Sequence, residues 1–117
     1  YRYYKGEGVE QDFAEAYKWF KRSAEQGYAY SQFFLGLMHY RGEGVAKSSS
    51  DAFHWWLQSA EHGFAWAQNN VGSLYFSGDG VRRDPAKAYR WYLAALKQGE
   101  QNAAKSIEKI EPELSAE

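Results

Sequence analysis

The stretch Tyr40-Arg41-Gly42-Glu43-Gly44-Val45 decides the fold, because it is one of three copies of the same pattern. The pattern also occurs at residues 4–9 as Tyr-Lys-Gly-Glu-Gly-Val and at residues 76–81 as Phe-Ser-Gly-Asp-Gly-Val. Each copy begins 36 residues after the previous one, and no insertion disturbs the spacing. A fixed period of this length is typical of repeat architectures, in which one small unit is stacked on the next.

The same period relates small, aromatic and glycine residues elsewhere in the chain. Three such series are the alanines Ala16, Ala52 and Ala88, the tryptophans Trp19, Trp55 and Trp91, and the glycines Gly27, Gly63 and Gly99. We therefore predict a single domain over residues 1–111, built from units at 4–39, 40–75 and 76–111. The first unit begins in the middle of a repeat, the last acts as a cap, and a frayed tail is expected at 112–117.

The composition excludes several classes of protein. With 44% hydrophobic residues, the chain of 117 residues can bury a core and is not disordered. The 14 lysines and arginines nearly balance the 15 acids, so we expect no nucleic-acid partner. The absence of cysteine excludes disulfides, cysteine-ligated zinc and thiol catalysis. No apolar run reaches the roughly 20 residues of a membrane span, so we expect no membrane insertion and a soluble protein of undetermined compartment.

Hydrophobic periodicity predicts two helices in each unit. Between residues 12 and 26, apolar and small residues recur at spacings of three and four, which indicates one buried helical face. These residues are Phe13, Ala16, Trp19, Phe20, Ser23 and Ala24. Equivalent second helices are predicted at 48–62 and 84–98, and the segments between them predict first helices at 29–41 and 65–77.

Local signals support these bounds. The second helices begin at residues that can cap a helix N-terminus, namely Asp12, Ser48 and Asp84, and the last of these is followed by Pro85. Each ends before a glycine suited to the left-handed conformation that closes a helix. The Gly-acid-Gly-Val segment predicts a loop that turns twice through positive φ, with its valine packed between the two helices.

Two glycines, Gly36 and Gly72, lie inside the predicted first helices, where glycine costs about 1 kcal/mol relative to alanine. We attribute them to close approach of the neighbouring helix backbone. Pro112 is expected to end the last helix.

Residues 65–81, Ala-Trp-Ala-Gln-Asn-Asn-Val-Gly-Ser-Leu-Tyr-Phe-Ser-Gly-Asp-Gly-Val, followed by Asp-Pro-Ala-Lys-Ala-Tyr-Arg-Trp at 84–91, closely resemble the Sel1-like repeat, a relative of the tetratricopeptide repeat. The resemblance covers residues 1–111. It implies an all-α fold, a right-handed α/α superhelical solenoid of antiparallel helix hairpins, used as a scaffold for protein–protein contact rather than as an enzyme. One departure is His39, which stands where the family has the tyrosine matched by Tyr75.

In a stacked array of hairpins the first helices line the concave side, and their outward residues can contact a partner. We therefore predict a groove for a protein or peptide partner, in which aromatic anchors and amides make the contacts. Its candidate residues are Tyr30, Phe33, Phe34, Leu37, Trp66, Asn69, Asn70 and Ser73. For Phe33 the core is an equally good assignment. The tryptophans and tyrosine at Trp55, Trp56, Tyr89 and Trp91 are interpreted as structural, because they recur on the second helices.

Two other functions stay open. The face formed by residues 1–19 lacks a complete partner helix, so the chain could be an architectural segment that self-associates through this open N-terminal face. Ser106 and Lys109 match the Ser-x-x-Lys pattern of a cell-wall hydrolase, but the companion motifs are missing and Ser106 is expected to be solvated on the cap helix. The histidines do not form a ligand pair, so no metal, cofactor or catalytic residue is predicted.

Overall fold

The computed structural model describes the backbone of residues 6–116 and the side chains of residues 13–101 and 103–112. Within this part the regular structure is entirely helical, which confirms the all-α prediction. The helices are α1 (Gly6–Glu25), α2 (Ala29–Arg41), α3 (Ser49–Glu61), α4 (Ala65–Ser77), α5 (Pro85–Lys97) and α6 (Gln101–Ala116).

The central helices begin and end where the sequence signals place them. The Ser48 hydroxyl accepts a hydrogen bond from the Asp51 N–H at 3.1 Å, and the Asp84 carboxylate accepts one from the Lys87 N–H at 3.1 Å. The glycines that follow α1, α3 and α5 have φ values of 92°, 89° and 88°. These caps confirm the predicted turns between the helices of neighbouring hairpins.

The predicted loop at residues 6–9 is wrong, because α1 includes these residues and begins before Asp12. In the other two copies the loop is held by the preceding hairpin: Gly44 lies against the backbone of Phe13, and Gly80 lies against the backbone of Ser49. The predicted start at Asp12 is also wrong, because Asp12 lies inside α1.

The prediction that Pro112 ends the last helix is also wrong. Helix α6 continues through Pro112 to Ala116. A proline inside a helix removes the hydrogen bond to the carbonyl four residues earlier, here that of Glu108. Glu108 and Pro112 are both exposed, so water can solvate this carbonyl and the helix can continue.

The helices pack mainly against their neighbours along the chain, and α4 also contacts α6. The chain forms an elongated stack with extents of 50 × 26 × 25 Å. One buried cluster joins α2, α3 and α4 and includes Trp56, Val71 and Leu74, and a second joins α5 and α6 and includes Tyr92 and Ile110. Each hairpin is thus completed by the next one, as expected for a helical repeat.

The sequence places Trp19 on the buried face of α1, but in the second helices the buried ring stands one residue later in the repeat. Trp19 is 64% exposed and has the Arg22 guanidinium 5.3 Å from its ring, so its assignment to the buried face is wrong. In α3 and α5 the fully buried rings are Trp56 and Tyr92, each 3% exposed, while the series of Trp19 lies beside them and is partly exposed. The small residues Ala24, Ala52 and Ala88 on the same helices are buried.

These rings also explain the helical glycines. A Cβ on Gly36 would lie 2.4 Å from the Trp56 ring, and one on Gly72 would lie 2.8 Å from the Tyr92 ring. The expectation of a close helix backbone is therefore wrong for Gly36, where the nearest atoms belong to a side chain. It is partly right for Gly72, where a Cβ would also lie 3.2 Å from the Ala88 carbonyl oxygen.

Buried glutamines connect consecutive hairpins. Gln68 donates a hydrogen bond through Nε2 to the Ala60 carbonyl at 3.1 Å, which is one of the last carbonyls of α3. Its Oε1 accepts a bond from Gln98 Nε2 at 2.8 Å. Gln32 repeats the first contact on the Ala24 carbonyl at 3.2 Å. Each glutamine side chain therefore donates a hydrogen bond to a carbonyl near the end of the preceding second helix, and this bond holds the next hairpin against that helix.

Candidate functional site

The candidate site is a groove that runs across α2, α4 and α6. Three adjoining depressions of about 390, 230 and 210 Å³ form it. Asn70 lines the first two and Ser73 lines the second and third, so α4 provides the continuous wall. We call this surface the α2/α4 groove. Most of its residues come from the first helices α2, α4 and α6, while Trp56 and Tyr92 come from the second helices α3 and α5.

An aromatic cluster stands at one end of the groove. Tyr30 and Trp66 are 55% and 52% exposed, although large aromatic side chains are usually more buried. The ring centroids of Tyr30 and Phe34 are 4.6 Å apart, and those of Phe33 and Trp66 are 5.7 Å apart. The exposed rings are therefore supported by inner rings and held in place.

Phe33 lies in the core, with 6% of its surface exposed. Its carbonyl accepts a hydrogen bond from Trp56 Nε1 at 2.9 Å, and its ring stacks on that indole at 6.3 Å between centroids. Of the two assignments for this residue, the structure therefore shows the core. Phe33 contributes the floor beneath Trp66 and Asn69 and leaves little ring surface for a partner.

Phe64 was missed by the sequence reasoning. This half-buried residue precedes α4, and its ring lies 6.0 Å from Tyr30 and 5.6 Å from Trp66 between centroids. It thus joins the two exposed anchors. The equivalent residues in the other units are Tyr28 and Glu100. Because this position is aromatic in two units and acidic in the third, the repeat pattern did not mark it as aromatic.

The middle of the groove is polar. Asn69 and Asn70 are half-buried, and Asn69 Oδ1 is shielded from water and has no hydrogen-bond partner among the described residues. Leaving such an acceptor unsatisfied costs about 1–3 kcal/mol, so a donor placed beside it would be favourable. Arg41 lines the second depression with Leu37 and makes no ion pair or hydrogen bond within the described part of the chain.

Two described titratable groups have clearly shifted pKa values. Burial, with a hydrogen bond of 3.2 Å to Asp79, raises the pKa of Tyr40, which therefore stays neutral beside the groove. Burial lowers the pKa of His39 below its ordinary value of 6.5, against the opposing effect of Asp51, while Lys21 lowers it further. His39 lies behind the groove, at the junction of α1, α2 and α3.

Ser106 and Lys109 line the third depression, together with Ser73 and Tyr92. The expectation that Ser106 is solvated is wrong, because the residue is half-buried. Its neighbour Tyr92 donates a hydrogen bond to the Ser73 hydroxyl at 3.1 Å. The two residues of the Ser-x-x-Lys pattern thus belong to the end of the groove rather than to a separate site.

Within the described helices none is both long and apolar enough to cross a bilayer. The same part of the chain contains no group of three or more histidine, aspartate or glutamate side chains that could hold a metal ion. The side chains that line the groove include aromatic rings and amides.

Comparisons with known proteins agree with this architecture. The sequence profile of the Sel1 repeat matches residues 1–28, 29–64 and 67–100. A Sel1 repeat protein from Oxalobacter formigenes superposes with a TM-score of 0.81 at 36% identity, covering 90% of this chain and 43% of that one. A protective antigen of uropathogenic Escherichia coli strains that displays an SLR fold superposes with a TM-score of 0.80 at 38% identity, covering 91% of this chain and 23% of that one. The chain thus spans less than half the length of either protein. A comparison with curated proteins gave no match.

Proposed function

The chain belongs to the Sel1 repeat family, and from this premise we propose that it is a non-enzymatic scaffold that binds a peptide or protein surface in the α2/α4 groove. The family is a class of repeat scaffolds typically used in protein–protein interaction. The observation that carries the proposal is the pair of exposed aromatic anchors, Tyr30 and Trp66, which stand on a supported aromatic cluster at the end of a continuous groove.

The other groove residues support the same function. Phe34 and Leu37 extend the apolar surface along α2. Asn69, Asn70 and Ser73 follow along α4, where their amides and hydroxyl can pair with the backbone of a bound segment. Rigid aromatic anchors with adjacent amides are a common design of peptide-binding surfaces.

The test uses peptides selected from a displayed random library against the domain. We expect the Tyr30→Ala, Trp66→Ala double variant to bind a selected peptide at least about 30-fold more weakly, because aromatic hot spots contribute about 2 kcal/mol or more. Both side chains are more than half exposed, so the variant should keep the melting temperature of the parent domain. Trp19→Ala is the matched control, because it removes an equally exposed ring outside the groove.

Self-association is a second candidate function, favoured by the 64% exposure of Trp19 on α1. The two functions give opposite results in the same experiment. Peptide binding that survives the double variant but fails in Trp19→Ala would contradict the groove. A mass that rises with concentration in light scattering, and that Trp19→Ala returns to that of a monomer, would support self-association instead.

A further inference from the structure

A second concave surface lies away from the groove, between the second helices of two neighbouring units. Helices α3 and α5 are not among the closely packed helix pairs, and a cleft of about 430 Å³ separates their side chains. This volume lies within the usual range of ligand pockets, about 300–1,000 Å³. Its floor is apolar and consists of Leu57, Tyr75, Trp91 and Ala94. We call it the α3/α5 cleft.

The rim of the cleft is cationic. Lys87 and Arg90 line it, and an adjoining cavity of about 450 Å³ that shares Tyr75 and Lys87 adds Arg82 and Arg83. Lys87, Arg90 and Arg82 have no carboxylate within ion-pair distance in the described part of the chain.

The nearby carboxylates do not neutralise this rim. Asp84 is engaged in capping α5, through the N–H of Lys87. Among the described residues, Glu61 is the acid that lines the cleft itself, on the side of α3. The charges of Lys87, Arg90 and Arg82 are therefore not balanced by an ion pair within the described part of the chain.

Comparison of the repeats shows that the helical scaffold does not require a cationic rim around an apolar floor. At the junction of α1 and α3, one period earlier, Asp51 and His54 stand where Lys87 and Arg90 stand in α5. The floor differs as well: Lys21 corresponds to Leu57, and Gln58 corresponds to Ala94. The same helical frame thus carries an acidic and polar surface at one junction and a basic rim around an apolar floor at the next.

We propose that the α3/α5 cleft binds an acidic peptide segment that places one apolar side chain on the Leu57, Trp91 and Ala94 floor and its carboxylates against Lys87 and Arg90. The charge complementarity selects the acid, and the floor selects the apolar residue. The cationic rim is short and is interrupted by Glu61, and the chain has a net charge of −1, which favours a short acidic segment over a long nucleic acid.

The probe is a fluorescein-labelled peptide of about twelve aspartate, glutamate and glycine residues with one central phenylalanine, and binding is followed by fluorescence anisotropy. The test variant is Lys87→Asp, Arg90→His, which gives α5 the residues that α3 carries at these positions. We expect it to weaken binding about tenfold, because two charge-assisted contacts are lost. The control Lys18→Asp, Arg22→His makes the same charge change on α1 and should bind as the parent does.

A second variant tests the floor without altering charge. Ala94→Gln introduces the side chain found at the equivalent position of α3 and should weaken binding of the phenylalanine peptide, with little effect on a serine version. Equal binding of the two peptides to the parent domain, or unchanged affinity in Lys87→Asp, Arg90→His, would overturn the proposal. Tighter binding of a single-stranded oligonucleotide with the same number of charges would also overturn it. The double variant Tyr30→Ala, Trp66→Ala should leave this binding intact, which separates the cleft from the groove.

Discussion

At position 36 the chain has no room for a side chain, because the Trp56 indole fills the space that a Cβ would occupy. The indole is itself fixed by its hydrogen bond to the Phe33 carbonyl. The glycine and the ring thus form one packing unit, and Gly72 with Tyr92 forms the next. The sequence shows both glycines but not their partner rings, because adjacent aromatic residues in the second helices make the periodic pattern ambiguous by one position.

This packing predicts that Gly36→Ala destabilises the domain by about 1–3 kcal/mol, since the fixed ring must shift. Urea unfolding of the parent and of a Trp56→Leu background provides the measurement. In the background without the indole the same substitution should stabilise by up to about 1 kcal/mol, through helix propensity. Equal effects of Gly36→Ala in both backgrounds would show that the ring does not set the requirement for glycine.

His39 and Tyr75 occupy equivalent positions, and their neighbours differ accordingly. Tyr17 packs edge-on against His39 at 5.5 Å, as Phe53 packs against Tyr75 at 5.2 Å. The residue twelve positions later is Asp51 beside His39, with 3.9 Å between Oδ2 and Nδ1. Beside Tyr75 it is Lys87, whose Nζ lies 5.7 Å from the ring centroid. The imidazole of His39, which can carry a positive charge, thus has a carboxylate beside it. The electron-rich ring of Tyr75 has an ammonium group beside it.

The lowered pKa of His39 predicts an acid-sensitive stability. The unfolded chain takes up a proton near the ordinary value of 6.5, whereas the folded chain does so only at lower pH, so stability is full above 6.5 and falls as the pH drops below it. Between pH 7.5 and 5.5, His39→Tyr should lose less stability than the parent by up to about 1 kcal/mol in urea unfolding. His54→Gln, at an exposed histidine, is the control. The same pH dependence of stability in the parent and in His39→Tyr would show that His39 does not cause the loss of stability at low pH.

At the scale of the elements, the inter-helix loops are held by backbone contacts between hairpins. Gly42 and Gly44 have φ values of 74° and 77°, and Gly78 and Gly80 repeat them at 74° and 76°. This confirms the two turns through positive φ predicted from the sequence for these two copies. The contact of each second glycine with the preceding second helix could not be predicted, because it depends on how one hairpin is placed on another.

The contact between Gly80 and the backbone of Ser49 predicts that replacing Gly80 lowers the free energy of unfolding more than replacing Gly63, although the two glycines have similar φ values. Gly63→Ala meets no atom within 4 Å and should cost about 1–2 kcal/mol, for the left-handed conformation alone. Gly80→Ala would place its Cβ 2.5 Å from Ser49 backbone atoms and should cost about 1–3 kcal/mol more. Urea unfolding of the two variants tests this difference. Equal costs would mean that conformation, rather than contact between hairpins, explains the loop glycine.

The bounds of the helices show where local signals are sufficient. The flanking glycines gave α2 and α4 correctly, and the capping residues Ser48 and Asp84 gave the starts of α3 and α5. They failed at α1 and α6, where the expected end depended on packing or solvation rather than on a capping residue. The exposure of Tyr30 and Trp66 could be predicted for a related reason, because they lie on the non-core side of helices whose bounds were correct. Phe33 and Phe64 required the structure, because ring contacts decide their roles.

At the scale of the whole molecule, the stack is longer than a globular domain of this size. The radius of gyration is 15.4 Å, against about 13 Å expected for a compact chain of this length. A stack of hairpins presents two separate kinds of surface, one on the first helices and one between the second helices. The α2/α4 groove and the α3/α5 cleft are one example of each, and they share no lining residue.

The most direct test of the central claim uses the five tryptophan indoles as reporters, because they lie on different surfaces. Trp66 stands in the groove, Trp91 lines the cleft and Trp19 is exposed on α1. A peptide selected against the domain is titrated while the indole N–H resonances are followed by NMR. We expect the Trp66 resonance to shift progressively while those of Trp19 and Trp91 stay in place. An unmoved Trp66 resonance in the saturated complex, with shifts at Trp19 or Trp91, would contradict binding in the groove.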